Sequence, residues 1–305
     1  HITIMITTFE QIYDKLRSKE RKRLIAAWAV DDHTITAVSK AVGLGIVDAT
    51  LVGDADMIKK VCEEEQIDMS VFTVIDNKDE LKSIAQAVLM IRQGMGDILM
   101  KGLCSTDKYM RGILNKEAGL LPPKAVLSHV SVLQNPNYKK LIIFGDMAVI
   151  PAPDLNQKIA ITKYLVKTAK SLEIEKPKVA FIAATEQMLP AMQACVDAAI
   201  LSKMCDRGQI PGCLGDGPLA LDVAIDEESV RIKKMTSPVA GDADCLLFPA
   251  IEPANVFYKA NSKLCKDVKQ AAIVAGAMAP CVLSSRADSI ETKLNSIALA
   301  ALSAK

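Results

Sequence analysis

Short aliphatic runs alternate along this chain with longer stretches in which apolar positions recur every three or four residues. The runs predict strands at residues 24–30, 46–52, 71–75, 97–101, 140–144, 178–182, 243–248 and 271–275. The helical period predicts helices at 9–22, 32–42, 54–65, 78–93 and 106–116, then at 156–171, 186–206, 255–264 and 288–302. Strands apolar at nearly every position are covered on both faces, and helices between them allow parallel pairing. The pattern predicts an α/β protein. Its last helix shows the period plainly, because Ile290, Leu294, Ile297 and Ala301 form one stripe facing a core.

The rhythm changes after Leu121-Pro122-Pro123, where residues 126–132 alternate and read as a hairpin at a domain junction. Residues 145–154, with Pro151 and Pro153, are the expected crossing into a second domain, and 276–280 the return. The expected domains are therefore 1–137 with 280–305, and 138–279.

At 305 residues the chain is long enough for two domains with substantial cores. Half of it is apolar and only 4% aromatic, so aliphatic side chains and alanine must fill the interior. Lys plus Arg (37) nearly balances Asp plus Glu (36), which argues against broad nucleic-acid or membrane-surface binding. The longest apolar stretch, 271–283, is too short to span a bilayer, which takes about 20 residues. No secretory signal is visible, Met5 is the expected natural start, and the cytoplasm is the expected compartment. The eight cysteines include no Cys-x-x-Cys pair and there are three histidines, so neither a disulfide framework nor a zinc cluster is expected.

Chemistry concentrates where apolar runs end. Pro280-Cys281-Val282-Leu283 is followed by Ser284-Ser285-Arg286-Ala287-Asp288 at a helix start. A helix N-terminus attracts anions, Arg286 adds a planar fork for phosphate oxygens, and Asp288 is placed to accept a proton. Capping accounts for the same residues, through Asp288 with Glu291 or Ser285 with Asp288. In Lys101-Gly102-Leu103-Cys104-Ser105-Thr106 the glycine allows close backbone approach, the lysine brings charge, and Ser105 or Thr106 caps a helix. Arg111 follows on the same face as Asp107. Gly215-Asp216-Gly217-Pro218 reads as a turn opening a helix, projecting Asp216 and backbone amides into a cleft or serving only as a turn. Glu252, Asn255 and Lys259 follow an apolar strand and fit a site or a cap equally. His129 reads as a hydrogen-bonded core residue, His33 as solvated, and Cys104 as a thiol whose reactivity needs an electropositive setting. Gly43-x-Gly45 lacks the rest of a dinucleotide fingerprint.

Six segments in order carry a resemblance. They are Lys101-Gly102-x-x-Ser105-Thr106, Ser128-His129-Val130, Asp216-Gly217-Pro218-Leu219-Ala220-Leu221-Asp222, Gly241-Asp242-Ala243-Asp244, Asn255 with Lys259, and Ser285-Arg286-Ala287-Asp288. Over residues 10–305 the chain resembles the phosphate acetyl/butyryl transferases, most closely the butyryl branch. The resemblance implies a two-domain, three-layer α/β/α fold like that of isocitrate and isopropylmalate dehydrogenases, with the active site in the interdomain cleft. It implies reversible conversion of acyl-CoA and phosphate to acyl phosphate and CoA, by direct thiolate attack in a ternary complex. CoA is then a substrate, no cofactor or metal is expected, and the molecule is a homodimer or higher homo-oligomer.

By the same resemblance Ser285 and Arg286 are catalytic, Thr106 and Arg111 lie near the substrates, and Asn255 and Lys259 line the cleft. From the reading of the residues themselves, Asp288 joins the catalytic group, and Lys101, Gly102, Ser105, Asp216 and Gly217 join Thr106, Arg111, Asn255 and Lys259 as substrate-binding residues. Acetyltransferase relatives carry a general-base aspartate where this chain has Thr292, so Asp288 or Glu291 takes that role or another group does. Ala254 after Pro253, and Met147, are further departures that favour the butyryl branch. Phosphate acetyltransferase is the nearest alternative. A metal- and NAD-dependent β-decarboxylating dehydrogenase, which needs a cluster of aspartates, and a non-catalytic CoA or acyl-phosphate sensor are more distant ones.

Overall fold

Leu24, Ile25, Ala26 and Ala27 are all buried, although successive side chains of a strand point to opposite faces. Both faces of that strand are therefore covered, as the run of aliphatic residues requires. The same holds for Ile98, Leu99 and Met100, and for Val179, Ala180 and Phe181. The computed structural model describes residues 4–285 and 287–305. It divides the chain into an outer unit, Phe9–Leu127 with Ala271–Lys305, and a middle unit, Ser128–Gln270 with the segment ending at Thr8. Both crossings come earlier in the chain than the sequence pattern placed them.

The outer unit begins α1 (Phe9–Arg17), β1 (Lys22–Ala27), α2 (Asp32–Gly43), β2 (Val47–Gly53) and α3 (Ala55–Glu64). It continues β3 (Thr73–Asp76), α4 (Glu80–Arg92), β4 (Ile98–Lys101) and α5 (Thr106–Leu114). The middle unit holds β5 (Ser128–Gln134), β6 (Ile142–Gly145), α6 (Leu155–Ser171), β7 (Lys178–Ile182) and α7 (Gln193–Asp206). After them come β8 (Leu214–Leu219), α8 (Leu221–Ile225), α9 (Glu227–Lys233), β9 (Cys245–Leu247) and α10 (Ile251–Leu264). The chain then returns through β10 (Lys269–Ala275), β11 (Cys281–Val282) and α11 (Ile290–Ser303).

Strands of the outer unit run in the order β3-β2-β1-β4-β11-β10, parallel except where β10 meets β11. The chain lays β2 and β3 on one side of β1 and then crosses to set β4 on the other. Such a reversal opens a crevice at the carboxyl ends of the two flanking strands. The middle unit has the order β5-β6-β9-β7-β8, parallel except for β5 against β6. No described helix is long and apolar enough to cross a membrane. All eight cysteines are free, and all but Cys265 are buried.

Four local expectations change. The helix expected at 9–22 stops at Arg17, because Ser18, Lys19, Glu20 and Arg21 give its apolar stripe nothing to continue with. The helix expected at 186–206 starts only at Gln193, after Pro190, whose ring disfavours helical backbone at the preceding residue. Glu186 instead accepts from Ala220 N at 3.0 Å and pairs with Lys233 at 3.1 Å. Residues 126–132 do not make a hairpin by themselves. Their strand, β5, pairs with β6, and its polar positions face inward, with Ser128 Oγ donating to Asp146 Oδ2 at 2.9 Å.

Gly215-Asp216-Gly217-Pro218 is likewise not a helix-opening turn but part of β8. A Cβ on Gly215 would stand 2.6 Å from Cys205 Sγ, and one on Gly217 2.8 Å from Phe181 O. These glycines serve close packing against β7 and α7. Pro218 is tolerated because β8 closes its unit's strand order, leaving one flank without a described neighbour in that unit.

Asp242 gathers three lysines in the middle unit: Lys139 at 3.0 Å, Lys140 at 2.9 Å, and Lys178. Burial alone would raise its pKa, but hydrogen bonds from Lys178, Lys140 and Lys139 outweigh that and hold the carboxyl well below the usual range. A carboxylate whose folded pKa is depressed contributes stability above its unfolded value of about 3.9, and that contribution is lost as pH falls through the folded value. We therefore expect the urea midpoint to drop between about pH 4 and pH 2, and Asp242→Asn to flatten that drop.

Candidate active site

β4 and β11 are parallel neighbours, with Leu99 opposite Cys281 and Met100 opposite Val282. Lys101-Gly102 and Leu283-Ser284-Ser285 consequently leave the strands side by side. β1 lies on the other flank of β4, with Ala27 opposite Lys101. Each of the three strands leads into a helix capped by its own side chain. Asp31 accepts from Thr34 N, Ser105 from Lys108 N, and Ser289 from Thr292 N, all at 3.1 Å. Three helix N-termini thus start beyond adjacent strand ends, where unpaired N–H groups and the helix dipole favour an anion.

The loops after β1 and β4 are locked together through backbone. Gly102 N donates to Ala27 O and Leu103 N to Trp28 O, both at 2.9 Å. A Cβ on Gly102 would lie 2.2 Å from Trp28 O, so glycine is required there by the neighbouring chain. Trp28 takes a left-handed backbone (φ 55°), which costs an L-residue about 1–2 kcal/mol. Sequence reasoning missed Trp28, since only its backbone angle marks it.

Lys101 turns its ammonium onto its own loop, donating to Cys104 O at 2.8 Å and Gly102 O at 3.3 Å. Cys104 is buried, and that burial raises its thiol pKa more than Lys101 lowers it, so the thiol stays protonated at neutral pH. Of the two capping candidates on α5, Ser105 does the capping and Thr106 is exposed. Arg111 is exposed and pairs with Asp107 at 3.0 Å.

Ahead of α11, Ser285 N donates to Asp288 Oδ2 at 2.8 Å and Asp288 N to Ser285 O at 3.0 Å. Ala287 N donates to Ser285 Oγ at 3.2 Å. Ser285 and Asp288 therefore close a turn on each other, while the cap of α11 is Ser289 and the helix starts at Ile290 rather than Asp288. Arg286 lies outside the described residues.

A residue that sequence reasoning passed over stands beneath this turn. Lys293 is 8% exposed, and its Nζ donates to Ser284 Oγ at 3.0 Å and Ser285 O at 3.3 Å. Burial lowers its pKa, against the opposing pull of Asp288 and then Asp31. Asp31 Oδ1 is itself buried without a hydrogen-bond partner. The signal for Lys293 was present: it falls three residues after Ile290, on the apolar stripe of α11.

In the middle unit Asn255 lies on α10, whose first turn accommodates Pro253 because its missing N–H has no intrahelical partner to lose. Asn255 Nδ2 donates to Met147 O at 3.3 Å, in the loop after β6. Buried Asp146 shapes that loop by accepting from Ala148 N and Val149 N, each at 2.8 Å, and from Ile150 N at 3.1 Å. Lys259 is exposed one turn beyond Asn255. Asp216 and Gly217 sit apart from this pair on β8, separated from β6 in the strand order by β9 and β7, with Gly217 N donating to Asp216 Oδ1 at 2.9 Å. The structure brings the 101–106 and 284–288 loops together in one unit, and Asn255 next to Met147 in the other.

Parallel strands, a reversal beside β1 and helix starts beyond neighbouring strand ends define an α/β protein of the kind that binds ligands at a topological switch point. The chain belongs to the phosphate acetyl/butaryl transferase family, whose model matches residues 7–83 and 80–301. It is 45% identical over 298 residues to a phosphate butyryltransferase of Clostridium acetobutylicum, covering 98% of each chain. It is 40% identical over 293 residues to a phosphate acetyltransferase of Thermotoga maritima, covering 96% of this chain and 98% of the relative. Among solved structures, a branched-chain phosphotransacylase from Enterococcus faecalis superposes with a TM-score of 0.82 at 27% identity, covering 92% of this chain and 98% of the other. Among the described residues no group of three or more His, Cys, Asp or Glu is placed to hold a metal ion.

Because the Cβ of any other residue at 102 would meet backbone rather than a flexible side chain, Gly102→Ala should destabilise the protein by about 3 kcal/mol, the upper end of overpacking costs. Urea unfolding of the purified variant measures this, and an unchanged midpoint would contradict the packing account.

Proposed function

We propose that this chain moves a short acyl group reversibly between CoA and phosphate, with butyryl or a branched short acyl as the preferred group. The observation that carries the reading is the pairing of β4 with β11, which sets the Lys101–Thr106 and Ser284–Asp288 loops next to each other. The identity to a butyryltransferase and the likeness to a branched-chain enzyme support the acyl preference.

In the forward direction a phosphate oxygen attacks the thioester carbonyl. The new C–O bond forms, the C–S bond breaks, and CoA leaves as a thiolate that takes up a proton. In reverse, Asp288 or a neighbour removes the thiol proton, whose ordinary pKa is about 8.5, and the thiolate attacks the acyl phosphate. Negative charge grows on the carbonyl oxygen in either direction, and on the departing phosphate in reverse. Arg286, the Ser285 hydroxyl and the backbone amides at the start of α11 are the proposed partners for that charge. Lys101, Gly102, Ser105, Thr106 and Arg111 are the proposed substrate contacts of the outer unit, and Asp216, Gly217, Asn255 and Lys259 those of the middle unit. The rate then comes from holding two substrates together and from charge stabilisation, with CoA as substrate and no further cofactor. A cytoplasmic homodimer or higher homo-oligomer, without nucleic-acid or membrane partners, completes the reading.

The 40% identity to an acetyltransferase favours acetyl transfer as the second reading. Phosphorolysis of acetyl-, butyryl- and isobutyryl-CoA separates the two. We expect the four-carbon substrates to show the higher kcat/KM, and a preference for acetyl-CoA refutes the butyryl assignment. Arg286→Ala should lower kcat by about 10²–10³, as loss of one preorganised donor does elsewhere. A change of less than about threefold would remove Arg286 from the catalytic group.

A further inference from the structure

A buried ammonium is a net cost to folding, since a well-packed apolar side chain of similar volume serves stability as well or better. Lys293 is such a group, on the buried face of α11 that also carries Ser296 and Ile297. Its hydrogen bonds show where the ammonium acts. One goes to the hydroxyl of Ser284 and one to the carbonyl of Ser285, both in the segment joining β11 to α11. That carbonyl also accepts from Asp288 N, while Ser285 N donates to the Asp288 carboxylate.

We infer that Lys293 is a positioning residue for acyl transfer: from below it fixes the turn that Ser285 and Asp288 close, so that the Ser285 hydroxyl and the Asp288 carboxylate hold one orientation toward the reacting groups. The inference rests on the proposed acyl transfer for its kinetic consequence, though not for its structural one. Lys293 need not touch substrate. It acts through Ser284 and Ser285, and its positive charge faces the carboxylates of Asp288, on its own segment, and Asp31, on the loop after β1. A loop released from such an anchor moves by a fraction of an ångström to an ångström, and a misplacement of that size costs roughly 10²-fold in rate.

The test compares wild type with Lys293→Met, which fills the volume without a donor, and Lys293→Gln, which keeps one donor and no charge. Steady-state phosphorolysis of butyryl-CoA should show kcat falling about 100-fold in Lys293→Met, with KM for butyryl-CoA and phosphate within about threefold of wild type. Lys293→Gln should recover about tenfold of that loss. Hydrogen–deuterium exchange should show faster labelling of the peptide covering residues 284–288 in Lys293→Met and unchanged labelling of α2 and α5. A merely structural lysine would lower the melting temperature and leave kcat of the folded fraction intact, which overturns the inference. Unchanged exchange at 284–288, or a loss confined to KM, overturns it too. Should Lys293→Met not fold, Lys293→Gln carries both measurements. A wild-type protein inactive on every acyl-CoA refutes the acyl-transfer reading, and the exchange result then still decides whether Lys293 anchors the turn.

Discussion

Two backbone pairings, Leu99 with Cys281 and Met100 with Val282, bring a segment from the far end of the chain against a strand from its first third. The candidate chemistry of the outer unit depends on that short ladder. β11 is only two residues long, and it is held on both sides, by β4 in parallel and by β10 in antiparallel. Cys281 and Val282 are buried, so the ladder sits in a dry setting where backbone hydrogen bonds are costly to break. Without it the Ser284–Asp288 turn would have no fixed relation to the loop carrying Lys101.

Around that constraint the outer unit fastens its loops in two different ways. Between β1 and β4 the fastening is backbone on backbone, made possible by the absence of a side chain at Gly102 and by the left-handed turn at Trp28. Between β11 and α11 it is an ammonium under a turn, Lys293 reaching Ser284 and Ser285. The first fastening is rigid because no side chain intervenes. The second carries charge into a place where anions are expected, which a backbone contact alone does not do.

Most of the fold was legible because buried parallel strands leave a strong mark: an uninterrupted aliphatic run such as Leu24-Ile25-Ala26-Ala27 suits a strand covered on both faces. What was not legible depends on neighbours distant in sequence. Gly215 and Gly217 look like turn residues, yet their glycines answer to Phe181 and Cys205. Residues 126–132 look like a hairpin, yet from Ser128 on they fall on one strand whose partner is β6, and Ser128 and Ser131 are buried there along with His129. Asp288 looks like a helix cap because the pattern allows it, whereas Ser289, one residue on, does the capping. Lys293 was hidden by habit, since a lysine in an amphipathic helix is ordinarily solvated and here the helix face it sits on is buried.

The central claim is that the loops at the carboxyl ends of β4 and β11 together receive the phosphate and the acyl carbonyl. Hydrogen–deuterium exchange of the wild-type protein, with and without saturating CoA plus inorganic phosphate, addresses it directly. The account predicts slowed exchange in both the 101–106 and 284–288 segments when both substrates are present. Protection that appears elsewhere and leaves both segments unchanged would contradict it.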